Sequence, residues 1–90
     1  MSVITDKIPV TELLAGLAEE ATELAQAALK LRRCYDGTNQ TPADPDIQYE
    51  CFLEEIGDVE LYLDQMSINR QVIADYKAAK LERWQKRLEG

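Results

Sequence analysis

Two short acidic motifs contain the residues of this chain that are best suited to chemistry. Glu20 and Glu23 form one pair, and Glu55 and Asp58 form a second pair 35 residues further along. A spacing of three residues places both carboxylates of a pair one turn apart on one face of a helix, where they can reach the same ion. Carboxylate oxygens suit a hard divalent cation such as Mg²⁺ or Mn²⁺. Two such helices packed antiparallel would supply four carboxylates, so the motifs predict a metal site with magnesium as the first choice.

The position of these acids on their helices is unusual. When residues 17–31 are laid on residues 52–66, the hydrophobic stripes of the two stretches superimpose. At about 100° per residue, Glu20 and Glu55 each fall inside the apolar arc, about 40° from its central residue. The acid three residues later lies at the border of the arc, and the acid one residue earlier points to solvent. The chain therefore repeats one arrangement of core-facing charge, which calls for compensation by another group.

Other interpretations of the acidic pairs remain open. The four acids would also be explained if they bordered a core and paired with Lys or Arg from a neighbouring helix. The doubled pattern and the small residues Gly16, Ala27 and Cys51 on the same stripe favour a cation, because they leave space beside the carboxylates. The chain has no histidine and no CxxC pair, which argues against zinc and against a ferritin-like di-iron bundle.

Three amphipathic helices are predicted to position these residues. They run from a cap at Thr11 to about Cys34, from about Asp46 to Met66, and from a cap at Asn69 nearly to Gly90. An N-terminal arm at 1–10 and a loop at 35–46 complete the chain, with Asp44 and Pro45 suited to the cap and first position of the second helix. No segment alternates like a strand, so the fold is expected to be all-α. The short connection predicts that the second and third helices are antiparallel neighbours.

The third helix carries basic residues beside its apolar stripe. Lys77 lies on the apolar side, and Lys80 and Arg83 accompany it. These cations would bind phosphate oxygens if the helix lay beside the acidic motifs, although Lys77 could instead extend its charged end from an apolar surface into water. Trp84 could stack on a nucleobase, but a Trp on an apolar stripe is more often a core residue.

Composition narrows the class of protein. The 90 residues suit one domain covering 1–90, with a net charge of −7 that argues against binding a nucleic-acid polymer. The apolar runs are too short to cross a membrane, and a signal-peptide pattern is absent, so a cytoplasmic location is expected. The two cysteines are expected to be reduced thiols.

The motifs in this order resemble the MazG-type nucleoside triphosphate pyrophosphohydrolases. The resemblance rests on Glu20-x-x-Glu23 after a Leu-Ala start, on Glu55-x-x-Asp58 within Leu-Glu-Glu-Ile-Gly-Asp-Val-Glu-Leu-Tyr-Leu, and on the basic closing helix. It covers about residues 12 to 88 and indicates a small single-domain member. The family implies an all-α fold in which subunits pair into a four-helix-bundle-type active site. It also implies Mg²⁺ held by the four acids, and hydrolysis of a nucleotide to its monophosphate and pyrophosphate.

The resemblance gives each residue an expected role. The four acids would hold one or two Mg²⁺ ions, and a water would attack the α-phosphorus, with Glu19 and Glu54 as candidate bases only. Lys77, Lys80 or Arg83 would stabilise the departing pyrophosphate. The base pocket would draw on apolar and aromatic side chains of the bundle and the loop at 35–48, with base and sugar undetermined.

Assembly is the last expectation. Three amphipathic helices leave more apolar surface than a lone bundle can cover, so a homodimer or a dimer of dimers is predicted, with helices from two chains completing each site. The competing hypothesis is a non-catalytic helical oligomerisation or regulatory module, whose acidic pairs make salt bridges between subunits.

Overall fold

The computed structural model describes residues 7–38 and 43–90, which form three α-helices. The helices are α1 (Val10–Asp36), α2 (Pro45–Asp64) and α3 (Arg70–Glu89). No strand occurs within the described ranges, so the all-α prediction is confirmed. None of the helices in those ranges combines the length and apolar content that crossing a membrane requires.

The ends of α1 differ from the prediction. Thr11 was expected to be the cap, but the capping position is Pro9, whose carbonyl accepts hydrogen bonds from the backbone of Glu12 and Leu13 at 3.0 and 3.1 Å. Thr11 lies inside the first turn because the extended backbone of Pro9 already leads into the helix. At the other end, Gly37 adopts the left-handed conformation (φ 77°) and donates its backbone N–H to the carbonyl of Arg33. The helix thus continues to Asp36, two residues beyond Cys34.

Helices α2 and α3 begin at the capping residues that the sequence predicts. Asp44 accepts a hydrogen bond from the backbone of Asp46 at 2.9 Å, with Pro45 as the first helical residue. Asn69 caps α3 in the same way, through the backbone N–H groups of residues 71 and 72. Helix α2 ends at Asp64, two residues before the predicted end. Of the predicted loop at 35–46, residues 39–42 lie outside the described residues.

Helices α1 and α2 pack against each other as an antiparallel hairpin. Gly16 near the start of α1 contacts Tyr62 near the end of α2, whereas Leu31 near the end of α1 shares a groove with Phe52 near the start of α2. Leu13 (2% exposed) and Leu31 (7%) are the only buried hydrophobic side chains among the described residues. A two-helix hairpin can bury little more than the line along which the helices meet, so most of each apolar stripe is only half covered.

Helix α3 does not pack on either of the other helices, and the prediction that it is an antiparallel neighbour of α2 is wrong for the single chain. Contacts between helices in the described chain are confined to α1 and α2. Helix α1 covers part of the α2 stripe, and the outer side of α2 offers only scattered apolar residues such as Leu53 and Leu61. The radius of gyration is 16.8 Å, whereas a compact chain of this length would have about 12 Å.

The packing of Gly16 against Tyr62 can be tested with two glycine substitutions. A Cβ at Gly16 would overlap the Tyr62 ring and lie 2.6 Å from its hydroxyl oxygen, whereas a Cβ at Gly57 in α2 meets nothing within 4 Å. Both alanines gain about 1 kcal/mol of helix propensity. Only Gly16→Ala pays the cost of overpacking, about 1–3 kcal/mol.

We therefore expect Gly57→Ala to raise the midpoint of thermal unfolding, and we expect the midpoint of Gly16→Ala to be lower than that of Gly57→Ala. Circular dichroism melts of the two variants and the parent protein provide the measurement. Equal stabilisation by both substitutions would contradict the close contact between α1 and α2.

Candidate metal centre

The acidic cluster follows from how α1 and α2 are aligned. Gly16 lies against Tyr62, and the helices run antiparallel, so advancing four residues on α1 corresponds to going back four residues on α2. This register places Glu20 at the level of Asp58, and Glu23 at the level of Glu55. One carboxylate oxygen from each of Glu20, Glu23 and Glu55 lies within 4.8 Å of the others. We call these three residues the acidic cluster.

Two carboxylate oxygens of the acidic cluster are buried without a hydrogen-bond partner. They are Oε2 of Glu20 and Oε2 of Glu55, one from each helix. Such atoms are costly to leave unpaired, and most buried polar groups in proteins have partners. The ion pairs of the described residues are Arg32 with Asp36, Arg70 with Asp64 and Lys86 with Glu82. None of them reaches the acidic cluster, so within the described chain no cationic side chain neutralises it.

The pKa values of Glu20 and Glu55 record the same imbalance. Burial raises the pKa of both carboxyls above the ordinary value of 4.5, and the negative charges of Glu23 and Asp58 raise it further. Both causes disfavour the charged form, and a bound cation would reverse them by favouring it. A hard divalent cation prefers carboxylate oxygens. The donor set and the orphaned oxygens therefore fit the magnesium ion that the sequence predicts.

The remaining acids of the two motifs take different positions. Asp58 is exposed and stands outside the three-oxygen group, although its charge acts on both Glu20 and Glu55. The structure thus brings together three of the four predicted ligands and leaves the fourth beside them. Glu19 and Glu54 are exposed, as their phase on the helices predicts.

The predicted phosphate-binding residues lie together, but not beside the acids. Lys77, Lys80, Arg83 and Trp84 line one concave surface formed by α3 alone, together with Leu81 and Arg87. Since α3 makes no contact with α1 or α2 within the described chain, these residues are separated from the acidic cluster of their own chain. The alternative role of Trp84 as a core residue does not hold in the single chain, where 63% of the side chain is exposed.

One apolar groove was not identified residue by residue from the sequence. It lies between the end of α1 and the start of α2, has a volume of about 390 Å³, and is lined by Ala28, Leu31, Arg32, Tyr35, Asp36 and Phe52. The sequence prediction named only bundle aromatics and the loop at 35–48 as the region of a base pocket. The aromatic residue Tyr35, at the end of α1 where the loop begins, is the feature of the sequence that could have indicated this groove.

The chain was compared with known protein families, curated proteins and solved structures. No protein-family model, curated protein or solved structure matches this chain.

The raised pKa values predict how stability depends on pH when no divalent cation is present. The unfolded carboxyls titrate near 4.5. Between that pH and their higher folded-state pKa values, the folded protein binds more protons than the unfolded chain, so the free energy of unfolding falls as the pH rises. Glu20→Gln removes one of these charges and should raise the thermal midpoint at pH 7 and flatten its pH dependence.

The measurement is a series of melts in EDTA from pH 5 to pH 8. Glu60→Gln, which makes the same change at an exposed site on α2, serves as the control and should keep the slope of the parent protein. A slope unchanged by Glu20→Gln would show that the cluster carries no unfavourable charge.

Proposed function

We propose that this protein is a Mg²⁺-dependent nucleoside triphosphate pyrophosphohydrolase, which converts an NTP or dNTP to the monophosphate and pyrophosphate. The observation that supports it most is the pair of buried, unpartnered carboxylate oxygens of Glu20 and Glu55, contributed by facing helices. The order of the motifs resembles that of the MazG-type enzymes, and this resemblance is the basis for assigning the reaction to the cation site. Mn²⁺ would be accepted by the same oxygens.

The charge of the protein makes a cation necessary for such a substrate. A chain with net charge −7 repels a triphosphate, and the acidic cluster brings three carboxylate oxygens within 4.8 Å of one another. When bound, the metal ion supplies positive charge that offsets this repulsion and stabilises the charge that develops on pyrophosphate. Glu20, Glu23 and Glu55 would hold it, with Asp58, whose charge acts on Glu20 and Glu55 from outside this group, as the proposed fourth ligand.

The residues of the chain then perform the remaining steps. A water attacks the α-phosphorus and gives its proton to a carboxylate, for which the exposed Glu19 and Glu54 are candidates. The new bond joins the water oxygen to the α-phosphorus, and the bond from that phosphorus to the bridging oxygen breaks. Lys77, Lys80 and Arg83 bind oxygens of the departing pyrophosphate, and Trp84 offers a face on which a base can stack.

The enzyme would work as a homodimer or a dimer of dimers. Only two hydrophobic side chains of the described residues are buried in the single chain. Obligate oligomers expose such apolar surface when a subunit is taken alone. Cations and acids that lie apart in one chain can act on one substrate if subunits combine.

The other candidate, a non-catalytic module with acidic pairs in salt bridges, predicts a different response to metal. Among the described residues no Lys or Arg pairs with the acidic cluster, which argues against salt bridges within the chain. A module with salt bridges between subunits would already have its charges compensated. It would therefore gain little from a divalent cation.

Metal binding should raise the stability of the folded protein. At a Mg²⁺ or Mn²⁺ concentration of 100 Kd the gain is about 2.7 kcal/mol, which corresponds to a rise in thermal midpoint on the order of 10 °C. Differential scanning fluorimetry with and without the ion measures it. The double variant Glu20→Gln, Glu55→Gln should lose the shift and Glu60→Gln should keep it. A shift that survives in the double variant would place the cation elsewhere.

Activity is tested with a panel of NTPs and dNTPs in Mg²⁺, scored separately for pyrophosphate and orthophosphate. We expect pyrophosphate and the nucleoside monophosphate from at least one substrate, with activity reduced about 100-fold or more in the double variant. Glu60→Gln should retain the parent rate. Orthophosphate as the first product, or equal rates in the double variant and the parent, would exclude the proposed reaction.

A further inference from the structure

The groove between the end of α1 and the start of α2 has the size and lining of a small-molecule site. Its volume of about 390 Å³ falls within the range of about 300–1,000 Å³ that is usual for ligand pockets. Tyr35 lines it from α1 and Phe52 lines it from α2. Helical side chains point toward the N-terminus of their own helix, so on two antiparallel helices these rings lean toward each other along the groove. A flat aromatic ligand can stack in such a site.

A charged pair lies beside the two rings. Arg32 and Asp36 both line the groove, and Nε of Arg32 lies 3.8 Å from Oδ2 of Asp36. The guanidinium offers only hydrogen-bond donors, and the ionised carboxylate offers only acceptors. At 3.8 Å the two groups form an ion pair that is too long for a hydrogen bond, so both can still bond to a ligand.

The carboxylate of Asp36 is held in place by the turn that follows it. Thr38 donates two hydrogen bonds to Oδ1 of Asp36, from its backbone N–H at 3.0 Å and from its hydroxyl at 2.6 Å. These hydrogen bonds, and the positive charges of Arg32 and Arg33 after them, lower the pKa of Asp36, which keeps the carboxylate ionised near neutral pH. Within the described residues Oδ2 accepts no hydrogen bond. An acceptor is thus fixed beside a donor before any ligand binds.

The pair of donor and acceptor matches one class of nucleobase. Guanine, hypoxanthine, uracil and thymine carry a carbonyl oxygen next to a ring N–H. The carbonyl can accept a hydrogen bond from Arg32 while the ring N–H donates to Oδ2 of Asp36. Adenine and cytosine carry an amino group next to an unprotonated ring nitrogen, so they would place a donor against Arg32 and an acceptor against Asp36. Stacking combined with hydrogen bonds to the base edge is how proteins recognise unpaired bases.

The groove is distinct from the acidic cluster. Asp36 follows Glu23 by thirteen residues of α1, which corresponds to about 20 Å along the helix axis. That separation is longer than the distance from the α-phosphorus of a nucleotide to the far edge of its base. A base bound to Arg32 and Asp36 therefore does not belong to a nucleotide that reacts at the acidic cluster of the same chain.

We propose that the groove is a second ligand site, which binds nucleosides and nucleotides whose base carries a carbonyl beside a ring N–H. Tyr35 and Phe52 stack on the base, and Arg32 and Asp36 recognise its edge. The site needs neither a metal ion nor a phosphate group, so it goes beyond the proposed function and does not depend on it. Because its occupant contacts both helices, the ligand stabilises the folded hairpin.

Nucleosides without phosphate groups test the site. Inosine and adenosine differ only in the base edge that the charged pair would recognise, and the same is true of uridine and cytidine. Titrations in EDTA, followed by ¹H–¹⁵N correlation spectra, should shift the backbone signals of Gly37, Thr38 and Phe52. We expect a Kd at least about fivefold lower for inosine than for adenosine, and for uridine than for cytidine.

Three results would overturn the proposal. The first is equal affinity for the two members of each pair. The second is a set of shifts confined to residues outside the groove. The third is a set of groove signals that respond to protein concentration and not to nucleoside, because a second copy of the chain would then cover the groove.

Substitutions separate recognition of the edge from stacking. In Asp36→Asn the amide oxygen can still accept both hydrogen bonds from Thr38, but an N–H donor replaces Oδ2, so the preference for inosine and uridine should disappear. Tyr35 is 66% exposed, and Tyr35→Leu should weaken all four nucleosides by about tenfold while keeping the preference. The control is Arg33→Gln, which removes a positive charge at an exposed position outside the groove and should change neither affinity nor preference.

The two proposals fail separately. Release of pyrophosphate by a protein that binds none of the four nucleosides would support the enzyme and refute the second site. Nucleoside binding with the expected preference, in a protein that releases no pyrophosphate, would do the reverse. A preference that persists in Asp36→Asn would also refute the assigned recognition of the base edge.

Discussion

The contact between Gly16 and Tyr62 is the constraint on which the rest of the hairpin depends. A Cβ at position 16 would overlap the ring of Tyr62, so the ring can lie directly against the backbone of α1 only because the residue is glycine. That approach sets the register of the two helices. With the register set, the acids one and two turns further along meet across the interface, and a shift of a single turn would separate Glu23 from Glu55. The acidic cluster is thus a consequence of how the hairpin packs.

Much of this arrangement is readable from local sequence signals. The caps at Asp44 and Asn69 form as expected because a short polar side chain can satisfy the free backbone N–H groups of a helix start wherever it occurs. The half-buried positions of Glu20 and Glu55 and the exposure of Glu19 and Glu54 follow from helical periodicity alone. The sequence predicts the wrong start for α1 because the carbonyl of Pro9 accepts the first backbone hydrogen bonds of the helix. A rule that looks for capping side chains does not detect a backbone acceptor.

The position of α3 could not be predicted in the same way. A short connection favours an antiparallel hairpin, but α3 makes no contact with α2 in the described chain, where α1 already covers part of the α2 stripe. The meaning of Gly16 was hidden for a related reason, since the sequence shows a small residue but not the ring that fills the space above it. Both features depend on pairs of residues far apart in the chain. Local periodicity carries no information on such pairs.

The division of charge within the chain connects its stability to its proposed activity. In the hairpin, burial and the charges of Glu23 and Asp58 raise the pKa values of Glu20 and Glu55, while the basic helix α3 makes no contact with α1 or α2 in the described chain. A single copy therefore keeps an interior with uncompensated charge and a core of two buried leucines among its described residues. A bound cation and a second chain, as proposed, would each relieve one of these deficits, so both would bind preferentially to the folded hairpin. The groups that weaken the isolated chain are the same groups that the proposed reaction needs, and this need would account for half-buried glutamates in a chain with so few buried apolar residues.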